Sequence, residues 1–366
     1  MSKAIIIGDS THNTLSIVRS LGIEKLPFVL ILKCEEDTCN VLKSKYVRRN
    51  QVYKIETIDE CSAILNAYDG KDKPYLICSF DEAAEWVDKH EEDLCQHFIT
   101  PCRGHHLGNL FNKAEQCKLA EQCGLTVPQS TIFRRSEGFK ENIIEYPLLL
   151  KPLVSTGGEK SDIHICHNRT EVDEALSNNS HCEQFIVQEF IDKEYELDCI
   201  GVATDNDIIL SGAVRKIRHY PPLTGAGAYG KFLPISMIDV DVEGVKKFIS
   251  YSGYHGPFSV EFIHTQDGRN YFMEVNFRNE GLAFASTCAG ANLHALYLNP
   301  SKKYNANKVR KIYMMNYSID YLYVKDGRLS KVQWWRDFFR TRCFINMSFR
   351  DPMPVLGHYW NKLPRH

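Results

Sequence analysis

The 366-residue sequence has no run of about eighteen apolar residues, no C-x-x-C pair, no low-complexity block and almost no net charge. The first absence removes any membrane-spanning helix from the pattern. The N-terminal MSKAIIIGDS, with one lysine and a short apolar stretch, reads as a first buried strand and not as a signal peptide. The thirteen cysteines are odd in number and scattered, which argues against zinc and for reduced thiols in a cytoplasm. A formal net charge of −2 offers no electrostatic case for a nucleic-acid partner or a membrane. Two phosphate-loop signatures also fail. GGEKS lacks the first glycine of a Walker A loop at the required spacing. GAGAYG, residues 225–230, matches G-x-G-x-x-G but follows Pro221-Pro222 and leads into the strand-like KFLPI, whereas a dinucleotide fingerprint joins a strand to a helix. It is expected instead as a mobile loop over the site, a lid.

What is present is length enough for two or three subdomains. Residues 4–7 (AIII), 28–32 (FVLIL) and 75–78 (YLIC) are short apolar runs separated by polar, partly helical stretches, the pattern of an α/β N-terminal domain with an open parallel sheet. GDSTHN after the first run could be an anion-binding turn or simply a turn. In NKAEQCKLAEQCGLTVP, Asn112 caps a helix with Glu115 three residues on, Gly124 fits just past its end and Pro128 prevents continuation. Strands follow at STIFRR, EYPLLLKPL and IHIC, with a helix at RTEVDEAL. From FIVQEFI onward the chain turns strand-rich, with a helix near VEGVKKFISYSG, and predicts an α+β second half. Some sixty aromatic-rich residues close the sequence as an appendage of unassigned role.

The strands FSVEFIHTQ and RNYFMEVNF flank Asp267-Gly268, a strong signal for a two-residue hairpin turn. With Gln266 facing Arg269, Glu261 stands opposite Glu274, Ser259 opposite Asn276 and Ile263 opposite Phe272, all on one side. The other side, with Phe258, Val260 and Phe262 against Tyr271, Met273 and Val275, reads as core. Carboxylates directly opposed across strands have Cβ atoms about 5 Å apart and repel. A shared proton would relieve them. A divalent cation would do so better, because Asn276 adds a neutral oxygen to make an all-oxygen set suited to Mg²⁺ or Mn²⁺. The alternative is a solvated face on which the glutamates splay apart.

Mg²⁺ held by few protein oxygens leaves its other positions to water and phosphate, so cations and a phosphate-cradling loop are expected elsewhere. Lys151 ends an apolar strand, where a lysine is costly unless it meets an anion or snorkels to water. Ser155, Thr156, Gly157 and Gly158 follow in a small turn whose N–H groups could approach phosphate, or which is an ordinary hairpin turn. Lys113 opens the capped helix.

Taken in order, NKAEQCKLAEQCGLTVP, LLLKPLVSTGGEKSD, FIVQEFIDKEYELD, GPFSVEFI and YFMEVNFRNEG resemble the ATP-grasp superfamily over roughly residues 105–300. RKIRHYPP and RDPMP are similar to segments of bacterial D-aspartate-ligase-like carboxylate–amine ligases. The resemblance implies an N-terminal α/β domain over 1–108, ATP-grasp lobes over 109–187 and 188–300 with the nucleotide cleft between them, and a C-terminal appendage over 301–366. It implies that Lys113 and Lys151 contact ATP phosphates under a cover formed by the loop from Ser155 to Ser161. Gln188, Glu189, Phe190 and Ile191 would form the hinge, with the backbone of Glu189 and Ile191 on the adenine edge and Glu194 on the ribose. Gln188 stands where members often carry an acid, and the segment from the hinge to Glu194 is one residue shorter than in many. Glu261, Glu274 and Asn276 match the metal triad, and Arg278 an arginine that steadies the transferred phosphoryl group.

The implied activity is ATP-dependent joining of a small-molecule carboxylate to an amine through an acyl phosphate, with ATP and Mg²⁺ as cofactors and a homodimer as the usual assembly. Arg278, with some of Arg215, Lys216 and Arg218, would hold the carboxylate. A kinase or carboxylating enzyme on the same fold, or a non-catalytic ATP-binding module, are the other readings.

Overall fold

The structure, a computed structural model, describes residues 4–34, 39–68, 72–140, 144–152, 164–180, 182–222 and 225–356. Its first sheet contains β1 (Ala4–Asp9), β2 (Phe28–Lys33), β3 (Val52–Ile55) and β4 (Tyr75–Cys78), all parallel, in the order β3-β2-β1-β4. The apolar runs at 4–7, 28–32 and 75–78 are its buried strands, as the sequence predicts. The helix His12–Ile23 returns the chain from β1 to β2 and packs on the helices Ala283–Ala289 and Leu293–Tyr297, joining this sheet to the later half of the chain in one core.

The helix Lys113–Gln122 follows, with the Asn112 side chain accepting from the Ala114 N–H, and Gly124 just past its end at φ +87°. A four-stranded antiparallel sheet comes next, made of β5 (Ser130–Arg134), β6 (Leu148–Pro152), β7 (His164–Cys166) and β8 (Gln184–Glu189) in the order β5-β8-β6-β7. Residues 190–192 then lead from this small sheet into a larger one. That seven-stranded sheet has β9 (Lys193–Ala203), β10 (Ile208–Tyr220), β11 (Ala226–Pro234), β12 (Gly256–Thr265), β13 (Asn270–Asn276), β14 (Ile312–Met315) and β15 (Thr341–Phe344), in the order β13-β12-β9-β10-β11-β14-β15.

Three features differ from the sequence reading. GAGAYG is not a lid: all of it but Gly225 is strand β11, paired with both β10 and β14. Small residues suit a strand enclosed on both edges by larger neighbours, and a Cβ on Gly230 would lie 2.9 Å from the Arg215 carbonyl. The hairpin between β12 and β13 turns over three residues, with Thr265 paired to Arg269 through its N–H and Gly268 at φ +85°. The extra turn residue is cancelled by a register shift between Glu261 and Phe262. Ile263 therefore faces Tyr271, and Phe272 joins Phe262 in the core, while Ser259–Asn276 and Glu261–Glu274 keep the expected pairing. Finally, residues 312–315 and 341–344 of the C-terminal stretch extend the large sheet as β14 and β15.

Candidate active site

Strands β9, β12 and β13 are adjacent, and their registers place Asp198 opposite Glu261 and Glu261 opposite Glu274. Directly opposed residues share a face, so three carboxylates form a row across the sheet. Asn276, two positions on from Glu274, is on the same face and donates to Glu261 Oε1 at 3.2 Å and to Ser259 Oγ at 3.3 Å. An amide turned end for end would present its oxygen there instead.

Two lysines reach the row. Lys113 Nζ lies 2.5 Å from Glu274 Oε2. Burial works against its charge, but Glu274, Glu261 and Asp81 outweigh that and raise its pKa. Lys216 Nζ lies 2.9 Å from Asp198 Oδ1, 3.2 Å from Glu196 Oε2 and 3.8 Å from Glu261 Oε2. The acids still exceed the cations. Asp198 is held well above the usual carboxylate range by burial and by Glu261 and Glu280, against the pull of Lys216. Glu280 is raised in the same way, by burial and Glu261, and its Oε2 is buried with no hydrogen-bond partner among the described residues. Glu196 goes the other way: burial opposes its ionisation, yet His219, Lys216 and Lys193 outweigh burial and lower its pKa.

No cluster of three His, Cys, Asp or Glu side chains shaped to hold a metal occurs among the described residues. The candidate set is two carboxylates and an amide, within a face of excess negative charge, and its hard oxygens fit Mg²⁺ or Mn²⁺.

Lys151 approaches from the small sheet. It donates to Gln188 Oε1 at 3.3 Å across the β6–β8 pair. Burial and the nearby Lys113 depress its pKa, with Cys117 and Glu274 partly restoring it. The two lysines therefore sense one another's charge, Lys151 from the small sheet and Lys113 from the helix fastened to β13. The Gln188–Ile191 segment is the end of β8 and the start of the link to the large sheet, with Gln188 and Ile191 buried. The Glu189 N–H already donates to Gln129 O at 2.8 Å, so of its two backbone groups only the carbonyl is a candidate for adenine.

Other predicted residues are placed differently. Lys216 and Arg215 are successive strand residues and face opposite sides; Arg215 lies 3.7 Å over the Tyr195 ring and 3.4 Å from Glu194 Oε1, away from the acid row. Arg218 is taken up by Asp320 and Asp337, each at 2.8 Å. Arg278 forms a two-pronged pair with Asp81, at 2.6 and 3.2 Å, which ties the site to the first residue of the helix Asp81–Lys89. Its Nη1 is buried with no hydrogen-bond partner among the described residues. Ser155, Thr156, Gly157 and Gly158 lie outside the described residues.

Sequence reasoning missed Asp198, Glu196, Glu280, Asp81 and Gln116. The alternation of Glu196 and Asp198 in YELD carried a signal for a polar strand face, but not for which neighbour it would meet. Gln116 is buried in the helix Lys113–Gln122 and binds the outer edge of β13: it donates to Val275 O at 3.0 Å and accepts from Val275 N at 2.6 Å. This fixes the helix, and with it Lys113, against Glu274.

No protein-family model matches the chain, and no curated protein sequence does. Solved structures do match. An N5-carboxyaminoimidazole ribonucleotide synthetase in complex with ADP aligns at TM-score 0.65 and 17% identity, over 86% of this chain and 81% of that one. N5-carboxyaminoimidazole synthetase from Staphylococcus aureus aligns at 0.66 and 16%, over 89% and 85%. L-amino acid ligase from Bacillus licheniformis aligns at 0.58 and 17%, over 85% and 79%. Likeness at such identities is a likeness of fold. The chain has the ATP-grasp fold.

Proposed function

We propose that the protein is an ATP-dependent carboxylate–amine ligase. The observation that carries this reading is the Glu261–Glu274–Asn276 set facing Lys113, with Lys151 approaching from the small sheet. A carboxylate anion resists nucleophiles because it repels them and has no leaving group. Transfer of the γ-phosphoryl group of ATP to its oxygen gives an acyl phosphate and ADP; attack by an amine then expels phosphate, loses a proton and leaves an amide. Phosphoryl transfer needs charge neutralised and reactants held in line more than it needs covalent help. Lys113 and Lys151 would take the triphosphate, and the partly buried Arg278, held by Asp81, would turn its remaining N–H groups to the carboxylate or the transferring phosphoryl group. Lys216 orders Asp198, Glu196 and Glu261 behind the site. Mg²⁺, held by Glu261, Glu274 and Asn276, would neutralise phosphate oxygens. That solved neighbours include a ligase of amino acids and an ADP-bound synthetase supports the same class of chemistry.

A carboxylating reading, with bicarbonate as the activated carboxylate, is favoured by the carboxylase domains among the structural neighbours, two of them solved with bicarbonate bound. The two separate in one screen of ADP release against a matrix of carboxylates and amines, with Glu274→Gln as control. Release needing Mg²⁺, an organic carboxylate and an amine supports the ligase. Release needing bicarbonate supports the carboxylating reading, and release without any carboxylate, or unchanged in E274Q, refutes both.

A further inference from the structure

The C-terminal stretch has a charge unlike the rest of the chain. Between residues 301 and 356, twelve Lys and Arg stand against four Asp and no Glu, although the whole chain nets −2. Three of those four acids are sunk: Asp320, Asp337 and Asp351 are 0%, 7% and 0% exposed. The cations that hold them come from elsewhere, Arg218 for the first two and Arg19 for the third. The outer surface of this stretch is thereby left cationic.

Exposed apolar groups lie on the same surface. The helix Lys331–Arg340 buries Trp334 but leaves Val332, Trp335 and Phe339 80%, 50% and 76% exposed, at a spacing that puts them on one face. Rings run on without a break: Trp335–Phe339 at 5.7 Å, Phe339–Phe338 at 5.8 Å, Phe338–Phe344 at 4.8 Å and Phe344–Phe349 at 6.1 Å. Phe349 stands at a cleft of about 560 Å³ lined by Arg310, Lys311, Arg342 and Arg350, with no carboxylate and with Ile23, Phe284 and Phe344 as apolar walls.

We propose that this face docks on an anionic phospholipid surface, a lipid phosphate entering the cleft among Arg310, Lys311, Arg342 and Arg350 while Val332, Trp335, Phe339 and Phe349 enter the interfacial layer. Basic side chains draw such a surface toward anionic lipid, and aromatic and aliphatic groups hold it there. Nucleic acid fits less well, because aliphatic Val332, Met353 and Leu356, all exposed, cannot stack on bases. No helix among the described residues is long and apolar enough to cross a membrane, so the contact is one of lying on the surface. The proposal is independent of the ligase reading, since none of these residues belongs to the acid row.

Co-sedimentation of the full chain tests it, with vesicles of phosphatidylcholine alone and with about a third phosphatidylglycerol. Binding is expected only with the anionic vesicles and to weaken at high salt. The pair Arg342→Gln and Arg350→Gln, and separately Trp335→Ser and Phe339→Ser, should each lower the affinity by roughly tenfold. Each pair of substitutions is at the surface and should melt like the wild type. Equal binding to neutral vesicles, no binding at all, or an aromatic pair that binds as the wild type while duplex DNA displaces the vesicles would overturn the proposal.

Discussion

Asp198, Glu261 and Glu274 stand in line because three antiparallel neighbours hold them in direct opposition, and burial then sets what each charge costs. His294 uses burial in the opposite sense. It is fully buried, with Nε2 2.8 Å from Asn279 Oδ1, and burial lowers its pKa from 6.5 to about 3. The native state thus keeps the imidazole neutral where the unfolded chain would protonate it. Stability from this group is complete above pH 6.5 and is lost as pH falls toward 3, at about 1.4 kcal/mol per pH unit. Between pH 7.5 and 5.5, urea unfolding should show a loss about 1.4 kcal/mol larger in the wild type than in His294→Gln, since in both proteins burial also holds His12 and His255 below the usual imidazole range. Equal losses in the two proteins would show that another group titrates.

At the scale of elements, β13 is an edge strand, and its exposed backbone groups need partners. Gln116 meets both groups of Val275, and Thr126 O accepts from Phe272 N at 2.7 Å. Gln116→Ala should cost about 2 kcal/mol in unfolding free energy and weaken ATP binding, because the helix that carries Lys113 loses its fastening. Calorimetry and nucleotide titration of the variant check both; unchanged ATP affinity would deny Gln116 its positioning role. This helix was legible from its punctuation, Asn112 and Gly124, but Gln116 was not: a glutamine in a polar helical pattern reads as solvent-facing until a strand edge lies beside it. The hairpin was legible in the same limited way. Strict alternation and Asp267-Gly268 place Glu261 opposite Glu274, while the three-residue turn and its compensating bulge leave no mark, since Met273 is at ease on either face. GAGAYG misleads because glycines that serve a loop also serve a strand wedged between two others.

Across the whole molecule, the two ends of the chain are locked by a buried ion pair. Arg19 Nε donates to Asp351 Oδ2 at 3.1 Å, both side chains almost wholly buried, and the Ser44 hydroxyl and Lys45 N–H also donate to Asp351. Arg19→Met strands that carboxylate and should lower unfolding free energy by about 3–5 kcal/mol; a urea midpoint equal to the wild type would show that the pair contributes nothing. The open parallel sheet at the start and the strand-rich second half followed from apolar periodicity, whereas the separation of that half into a small antiparallel sheet and a large mixed one did not. This long-range pair could not, because nothing in sequence links positions 332 residues apart. The central claim, that Glu261 and Glu274 are made tolerable as neighbours by a divalent cation that serves ATP, is tested most directly by titrating ATP calorimetrically into the wild type and Glu274→Gln, with and without Mg²⁺. ATP should bind the wild type at least tenfold more tightly with Mg²⁺ than without, and that gain should vanish in the variant. Affinity indifferent to Mg²⁺ in the wild type, or the same gain in both proteins, would contradict it.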